Sequence, residues 1–325
     1  MGKDGFQPRG RSFVPGVMSK ERMIQMSGTV YLRRYWQLYA LLVLPLVYFI
    51  IFKYGPMWGV QIAFKDFNFF QGITGSEWIG LDAFREVFQT QDFYKTLRNT
   101  LMLNLLDLLV SFPAPLILAI MLHELRIRWF KRLSQTILYI PHFISWVIIG
   151  GIVYQVFGTQ SGMINNMLMA LGFESVPFLT DKDTWLITYL ATGVWQSAGW
   201  GTILYLAALT GINKELYEAA EVDGAGRFKR IRHITLPGLK TTVVTLLIIN
   251  LGNMIAIGFD RPFVIGNKAV MDYSDVLSTY VYRTGLESGQ YTLATVVGLF
   301  QAVVGLIFLL GANYASKKLT DESII

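Results

Sequence analysis

Apolar residues fall in six long blocks, at about residues 36–52, 99–122, 134–157, 184–209, 241–260 and 291–315, with polar stretches between them. Each block approaches the roughly 20 residues that carry a helix across a hydrocarbon core of about 30 Å. A chain inside a bilayer has to satisfy its own backbone hydrogen bonds, so blocks of this length predict helices. The expected fold is all-α, a polytopic membrane helical bundle of about six transmembrane helices. Pro45 lies inside the first block, where a membrane helix tolerates it as a kink. Trp36, Tyr39, Tyr48, Tyr54 and Trp58 flank that block as an interfacial aromatic belt would.

The connections carry a pattern of their own. Leu81, Phe84, Val87 and Phe88 recur at helical spacing in the long segment 53–98, which predicts an amphipathic helix on the membrane surface. Residues 158–183 and 261–290 are longer than simple linkers need to be. No internal repeat and no low-complexity tract is visible.

Composition sharpens the class. Of 325 residues, 53% are hydrophobic and only 15% charged, with a mean hydropathy of +0.43. Soluble domains carry about 25% charged residues. Cysteine is absent, which excludes a disulfide framework, thiol catalysis and a thiolate metal site. The net charge of +6 gathers on one side. Lys3, Arg9, Arg11, Lys20, Arg22, Arg33 and Arg34 precede the first block, and the segments around 126–132, 214–240 and 317–318 hold most of the other cations. Cytoplasmic loops are enriched in Lys and Arg, so both termini are expected in the cytoplasm, with the chain crossing the membrane several times. The domains expected are a cytoplasmic basic arm at 1–35, a transmembrane domain at 36–318 with a cytoplasmic loop at 211–240, and a tail at 319–325. The arm is too long and too polar for a signal peptide, so the first span is expected to be retained.

Several chemistries drop out. Residues 5–12 resemble a phosphate-binding loop, but Arg11 stands where the lysine belongs and no strand precedes it. His123, His142 and His233 lie far apart and form no zinc-binding pair, and interfacial hydrogen bonding accounts for them. No Ser/His/Asp ordering is present. The chain is expected to have no catalytic residues, no metal site, no cofactor of its own and no nucleic-acid partner.

Polar residues inside the blocks are more informative, because a charge at mid-membrane costs about 2.5–3.5 kcal/mol on insertion scales. Asp107 lies in the second block, Gln196 and Trp200 four apart in the fourth, and Asn250 and Asn253 three apart in the fifth. Such pairs share a helix face. They could line a polar pathway for a hydroxyl-rich ligand, or simply hydrogen-bond between helices. Gly193, Ser197 and Gly201 form a small-residue ridge suited to close helix packing. A carrier driven by an ion gradient would use Asp107 and Asp260 as its coupling groups, but the inverted repeats it predicts are not seen.

The loop at 211–240 is polar, basic and shaped. Asn213 is placed to cap a helix over 214–223, and Gly224 to end it in the left-handed conformation. A second short helix is expected over 226–233, stopped by Pro237. Both ends are tethered to spans, which excludes a DNA-reading helix–turn–helix and leaves two readings, a cationic loop that only enforces topology and a knob docked in a groove of a soluble partner.

Glu218-Ala219-Ala220, then Gly224, then Ile234-Thr235-Leu236-Pro237 resembles, in residues and spacing, the EAA signature of permease subunits of binding-protein-dependent ABC importers. The stretches 80–84, 98–101, 162–165 and 276–282 are similar to the sugar branch of that family, so the resemblance covers about residues 36–318. It implies a type I ABC importer permease fold and a transport subunit, not an enzyme. It implies four kinds of partner: a second permease subunit of different sequence, two cytoplasmic ATPases, an extracytoplasmic solute-binding protein, and the transported solute. ATP and magnesium would belong to the ATPase. The resemblance gives Glu218, Ala219 and Gly224 the coupling role, with Ala220, Ile234, Leu236 and Pro237 completing the motif. The aromatic and amide content of the spans suits an oligosaccharide, with polar amino acids and polyamines as alternatives.

Overall fold

The structure, a computed structural model, describes residues 35–252 and 258–320. The chain divides into two compact units at Gly59. In the first, helix α1 (Trp36–Phe49) runs on through a π turn, Ile50–Tyr54, and a short helix, Gly55–Met57. It contains Pro45 and buries none of its residues within the chain, as an apolar helix facing lipid or another subunit would.

The second unit starts with a small antiparallel pair, Lys65–Asp66 and Glu77–Trp78, and helix α2 (Asp82–Gln89). The amphipathic helix expected here forms, but it buries Ala83 and Val87 against Phe93, Val296 and Val297, so it is packed protein as much as membrane surface. Helices α3 (Gln91–Ser111) and α4 (Pro113–Glu124) follow as one 34-residue path. At 1.5 Å per residue that is about 50 Å, enough to cross the hydrocarbon core and project beyond it. Pro113 interrupts it gently because it occupies a first-turn position, where its missing N–H leaves little unsatisfied.

The third apolar block differs from expectation. Residues 134–157 are not one continuous helix: α5 (Arg128–Tyr139) runs through a 3₁₀ turn to Phe143, and α6 (Trp146–Phe157) leaves at 105°. Two residues make the break. Pro141 cannot donate to the helix ladder, and Ser145 starts a new helix by accepting the Ile148 N–H.

Helix α7 (Met163–Ala170) leads to α8 (Lys182–Thr210), a 29-residue helix capped by the Asp181 carboxylate, which accepts from the Asp183 and Thr184 N–H groups. Among the described residues four helices are long and apolar enough to cross a membrane, and the bent pair supplies a fifth crossing if it counts as one. Helix α8 is long enough but more polar. Its hydroxyls solve that problem locally. Thr188, Thr192, Ser197 and Thr202 each donate to the carbonyl four residues back, at 2.6–2.8 Å. A hydroxyl paired to its own helix backbone no longer costs an unsatisfied group in the bundle. Small residues let neighbours come close. Gly199 lies against the Leu138 carbonyl and Gly201 against the Pro115 ring, while Gly193 lies under the Arg261 guanidinium.

Beyond α8 come α9 (Lys214–Val222), α10 (Arg227–Arg230) and, through a π turn over Ile231–Thr235, α11 (Leu236–Gly252). Pro237 therefore does not stop a helix. The Leu236 N–H bonds back to the Ile231 carbonyl, one residue further than in an α-helix. The widened turn accommodates a proline ring that would otherwise strike the carbonyl four residues back. Asp260 begins α12 (Asp260–Ile265) instead of ending the fifth block. Helices α13 (Leu277–Tyr282) and α14 (Tyr291–Thr320) complete the chain, and α14 packs along α11.

Apolar side chains gather in three clusters. One lies around Trp185, Tyr189, Ile149 and Ile265, where the Trp185 indole N–H donates to the Ile265 carbonyl at 3.1 Å. A second is built on Phe93, Leu277 and Val297, and a third on Ala119, Tyr205, Leu209 and Leu239. Polar clamps hold the long connections. The Asn99 amide donates to the Asp272 and Asp275 carbonyls, both at 2.9 Å. Lys95 pairs with the Asp272 carboxylate at 2.8 Å, and that ammonium draws the Asp272 carboxyl below its ordinary range.

Asn165 clamps residues 158–176. It is fully buried, its amide N–H groups donate to the Gly158, Thr159 and Val176 carbonyls, and its oxygen accepts from the Val176 N–H. Asn165→Ala strands these groups and is expected to destabilise the segment by about 2–3 kcal/mol. Limited proteolysis should then cut within 158–181 well before any other site; protection equal to wild type would contradict this.

Candidate functional site

Two features converge on α8: a polar cavity along its middle and a protruding loop at its end.

The loop is built by local rules. The Asn213 side chain accepts the Glu215 N–H at 3.0 Å and starts α9. At the other end Gly224 takes φ +74°. Its N–H donates to the Glu221 carbonyl at 3.1 Å, and the Ala225 N–H reaches the Ala220 carbonyl at 2.8 Å. This pair of bonds is a Schellman closure, and it requires the left-handed residue that glycine supplies. The returning chain is tied by Arg230 to Glu221 at 3.3 Å, so Glu221 takes that ion pair and Glu218 does not. Tyr217 faces the bundle, with its hydroxyl 3.0 Å from the Thr235 hydroxyl and its ring beside His123 on α4. Glu218 and Ala219 face outward, as do Leu236 and Pro237, while Ala220 and Ile234 are half-buried. Val222 and Phe228 are each 89% exposed at the tip. Exposed apolar side chains around a rigid, small-residue helix mark a surface built to be covered.

The cavity, of about 440 Å³, lies between α3, α8 and α11. Asp107, Trp200 and Asn250 all line it. Gln196 is half-buried on α8 and does not line it, and Asn253 lies outside the described residues. Two residues that the sequence does not place on the pathway, His142 and Arg261, complete the site. His142, just after the proline that breaks the third block, stacks on Trp200 with ring centroids 4.6 Å apart and planes 5° from parallel. Phe143 meets the same indole edge-on at 5.8 Å. Arg261, at the start of the polar segment that follows the fifth block, has a side chain 13% exposed that pairs with Asp107 at 2.8 Å. Its guanidinium also donates to the Tyr189 carbonyl and lies 3.6 Å from the centre of the Tyr189 ring.

Asp107 also accepts from the Ser111 hydroxyl at 3.2 Å. A second cavity of about 250 Å³, lined by Trp146, Tyr189 and Asp260, also borders Asp107 and Arg261, so the pair lines two spaces. The signal for Arg261 was present in the sequence. A lone aspartate in a span is costly, so a cation just past another span is its expected partner. The cavity thus offers a flat aromatic platform, an amide and one embedded ion pair. Among the described residues no cluster of His, Asp and Glu could hold a metal ion.

Residues 95–321 match the family model described as binding-protein-dependent transport system inner membrane component. The chain is 47% identical over 293 residues to Protein LplB of Bacillus subtilis (strain 168), covering 90% of this chain and 92% of that one. It is 41% identical over 308 residues to the polygalacturonan/rhamnogalacturonan transport system permease protein YteP of the same organism, covering 95% of each. Among solved structures it is similar to a chain of a bacterial alginate ABC transporter in complex with alginate pentasaccharide-bound periplasmic protein. That match has a TM-score of 0.81 and 40% identity, and covers 90% of this chain and 98% of the other.

Proposed function

The chain belongs to the family of binding-protein-dependent transport system inner membrane components, and from that membership we propose that it forms one half of the pathway by which an ATP-driven importer takes up an oligosaccharide. It is the permease of an ABC importer, a multi-pass membrane protein and a transport component, neither an enzyme nor an ion-coupled carrier. The proposed assembly pairs it with a second permease subunit of different sequence, two cytoplasmic ATPases that bind ATP and magnesium, and an extracytoplasmic binding protein that delivers the sugar. Both termini lie in the cytoplasm in this reading, on the strength of the cations that precede α1 and surround α9.

One observation carries the proposal: a single helix joins the two working parts. Trp200 on the cavity wall and Thr210 at the foot of the loop both belong to α8, about 15 Å apart along it. A push on α9 therefore reaches the cavity through one rigid element. Glu218, Ala219 and Gly224 form the docking knob, and Ala220, Ile234, Leu236 and Pro237 shape its base. Asp107, Trp200 and Asn250 face the solute, and Gln196 and Asn253 are assigned to the same path. The apolar face of a pyranose stacks on an indole, and its hydroxyls bond amides. Saccharides named for the relatives support this reading.

Trp200→Ala removes the platform. In proteoliposomes holding the whole complex, uptake of labelled oligosaccharide should fall about tenfold or more, taking the scale of about 1–3 kcal/mol that a planar base gains by stacking on an aromatic side chain. Trp200→Phe should keep most of it. Unchanged uptake in Trp200→Ala would remove the solute path from this cavity.

A further inference from the structure

The ion pair at the base of the cavity is more than helix glue. Arg261 is held on three sides: by Asp107, by the Tyr189 carbonyl and by the Tyr189 ring. Its Nε–H has no hydrogen-bond partner among the described residues, although the atom is buried. A buried donor left unpaired costs about 1–3 kcal/mol, and a guanidinium within a membrane bundle is costly besides. Both costs fall on a residue that borders both cavities. Apolar side chains of equal volume often serve a purely structural role as well or better.

The carboxylates nearby do not supply the missing partner. Asp107 already accepts from Arg261 and Ser111. Asp260 lines only the second cavity and is exposed. The aromatic stack of His142 and Trp200 borders the larger cavity that Arg261 also lines. A sugar ring seated on that stack could turn a ring substituent toward the guanidinium.

We propose that Arg261 recognises a carboxylate on the transported saccharide, so that the pathway selects acidic, uronate-bearing oligosaccharides, and that Asp107 is the counter-ion that holds the guanidinium while the pathway is empty. This rests on the oligosaccharide reading above and narrows it. A planar guanidinium presents its donors as a fork matched to a carboxylate. The substrate carboxylate shares the guanidinium fork with Asp107 or displaces it. Neutral sugars find the same aromatic platform but gain nothing from Arg261.

The two partners of the pair then have opposite effects on selectivity. Removing Asp107 frees Arg261 and strengthens acidic ligands. Removing Arg261 leaves a bare carboxylate, which repels them. A structural pair would give both variants the same phenotype.

The test uses the complete permease–ATPase complex in nanodiscs, with a galacturonate trisaccharide and the galactose trisaccharide of the same linkage as probes, read by saturation-transfer NMR titration. Wild type is expected to bind the acidic probe about tenfold more tightly, the ratio one charge-assisted hydrogen bond supplies. Asp107→Asn should raise that preference, Arg261→Gln should abolish or reverse it, and Arg261→Lys should restore part of it. If Arg261→Gln does not assemble, the neutral double variant Asp107→Asn/Arg261→Gln should, and it should bind both probes equally. Equal binding by wild type, or a preference that survives in the double variant, overturns the carboxylate assignment and leaves the oligosaccharide reading standing. Binding of neither probe to wild type overturns both.

Discussion

Gly224→Val is expected to leave the subunit inserted and the ATPase bound, but to cut uptake at least tenfold while ATP hydrolysis continues. The reasoning separates two kinds of damage. A side chain at Gly224 would meet nothing, because no atom lies within 4 Å of the position its Cβ would take. The bundle therefore has no steric reason to fail. The backbone does. At φ +74° an L-residue pays roughly 1–2 kcal/mol, and a β-branched one is a genuine outlier there. The Schellman bonds from Gly224 and Ala225 are lost, and the end of α9 turns elsewhere. Val222 and Phe228 then no longer flank one knob. Ala219→Asp should give the same phenotype by another route, a charge and added bulk on the exposed face of α9. The check is paired measurement of ATP hydrolysis and labelled uptake in the same proteoliposomes. Wild-type uptake in either variant would remove the coupling role from this loop.

Gly199→Val should act on assembly instead. A Cβ on Gly199 would overlap the Leu138 carbonyl oxygen, which is backbone and cannot rotate away. Helix α8 would have to retreat from α5 along the wall of the bundle, opening the packing around the Thr202 contact with Pro115. Overpacking of side chains costs about 1–3 kcal/mol, and a backbone collision exceeds that. The expected result is loss of monodisperse complex on extraction. Gly298→Ala is the control, since that position has open space around it, and it should purify normally. Normal yield of Gly199→Val would show that α5 and α8 do not approach as closely as described.

How much of this was legible in the chain depended on the range of the forces involved. The caps of α9 are local: Asn213 and Gly224 act through bonds to residues two to five away, and sequence alone placed both. Apolar blocks announce helices for the same reason. The break between α5 and α6 was hidden because residues 134–157 are predominantly apolar, and one proline followed by a serine carries little weight in a hydropathy pattern. Pro237 misled in the other direction, since only the register of the Ile231–Thr235 turn makes a helical proline acceptable. The polarity of α8 is disguised by bonds its hydroxyls make to its own backbone. Arg261 lies 154 positions from Asp107, and no periodicity links them; only the cost of an unpaired charge could have suggested the match. His142 stacks across helices for the same reason and carried no local signal.

The claim everything else depends on is that the exposed loop at 214–237 is where a separate ATPase drives this subunit. The chain contains no cysteine, so Val222→Cys gives a single reactive site at the exposed tip. A benzophenone photocrosslinker attached there, in the intact complex, should capture the ATPase subunit, and the same probe on Ser161→Cys should not. Capture of the extracytoplasmic binding protein from Val222→Cys, or of the ATPase from Ser161→Cys alone, would contradict the account.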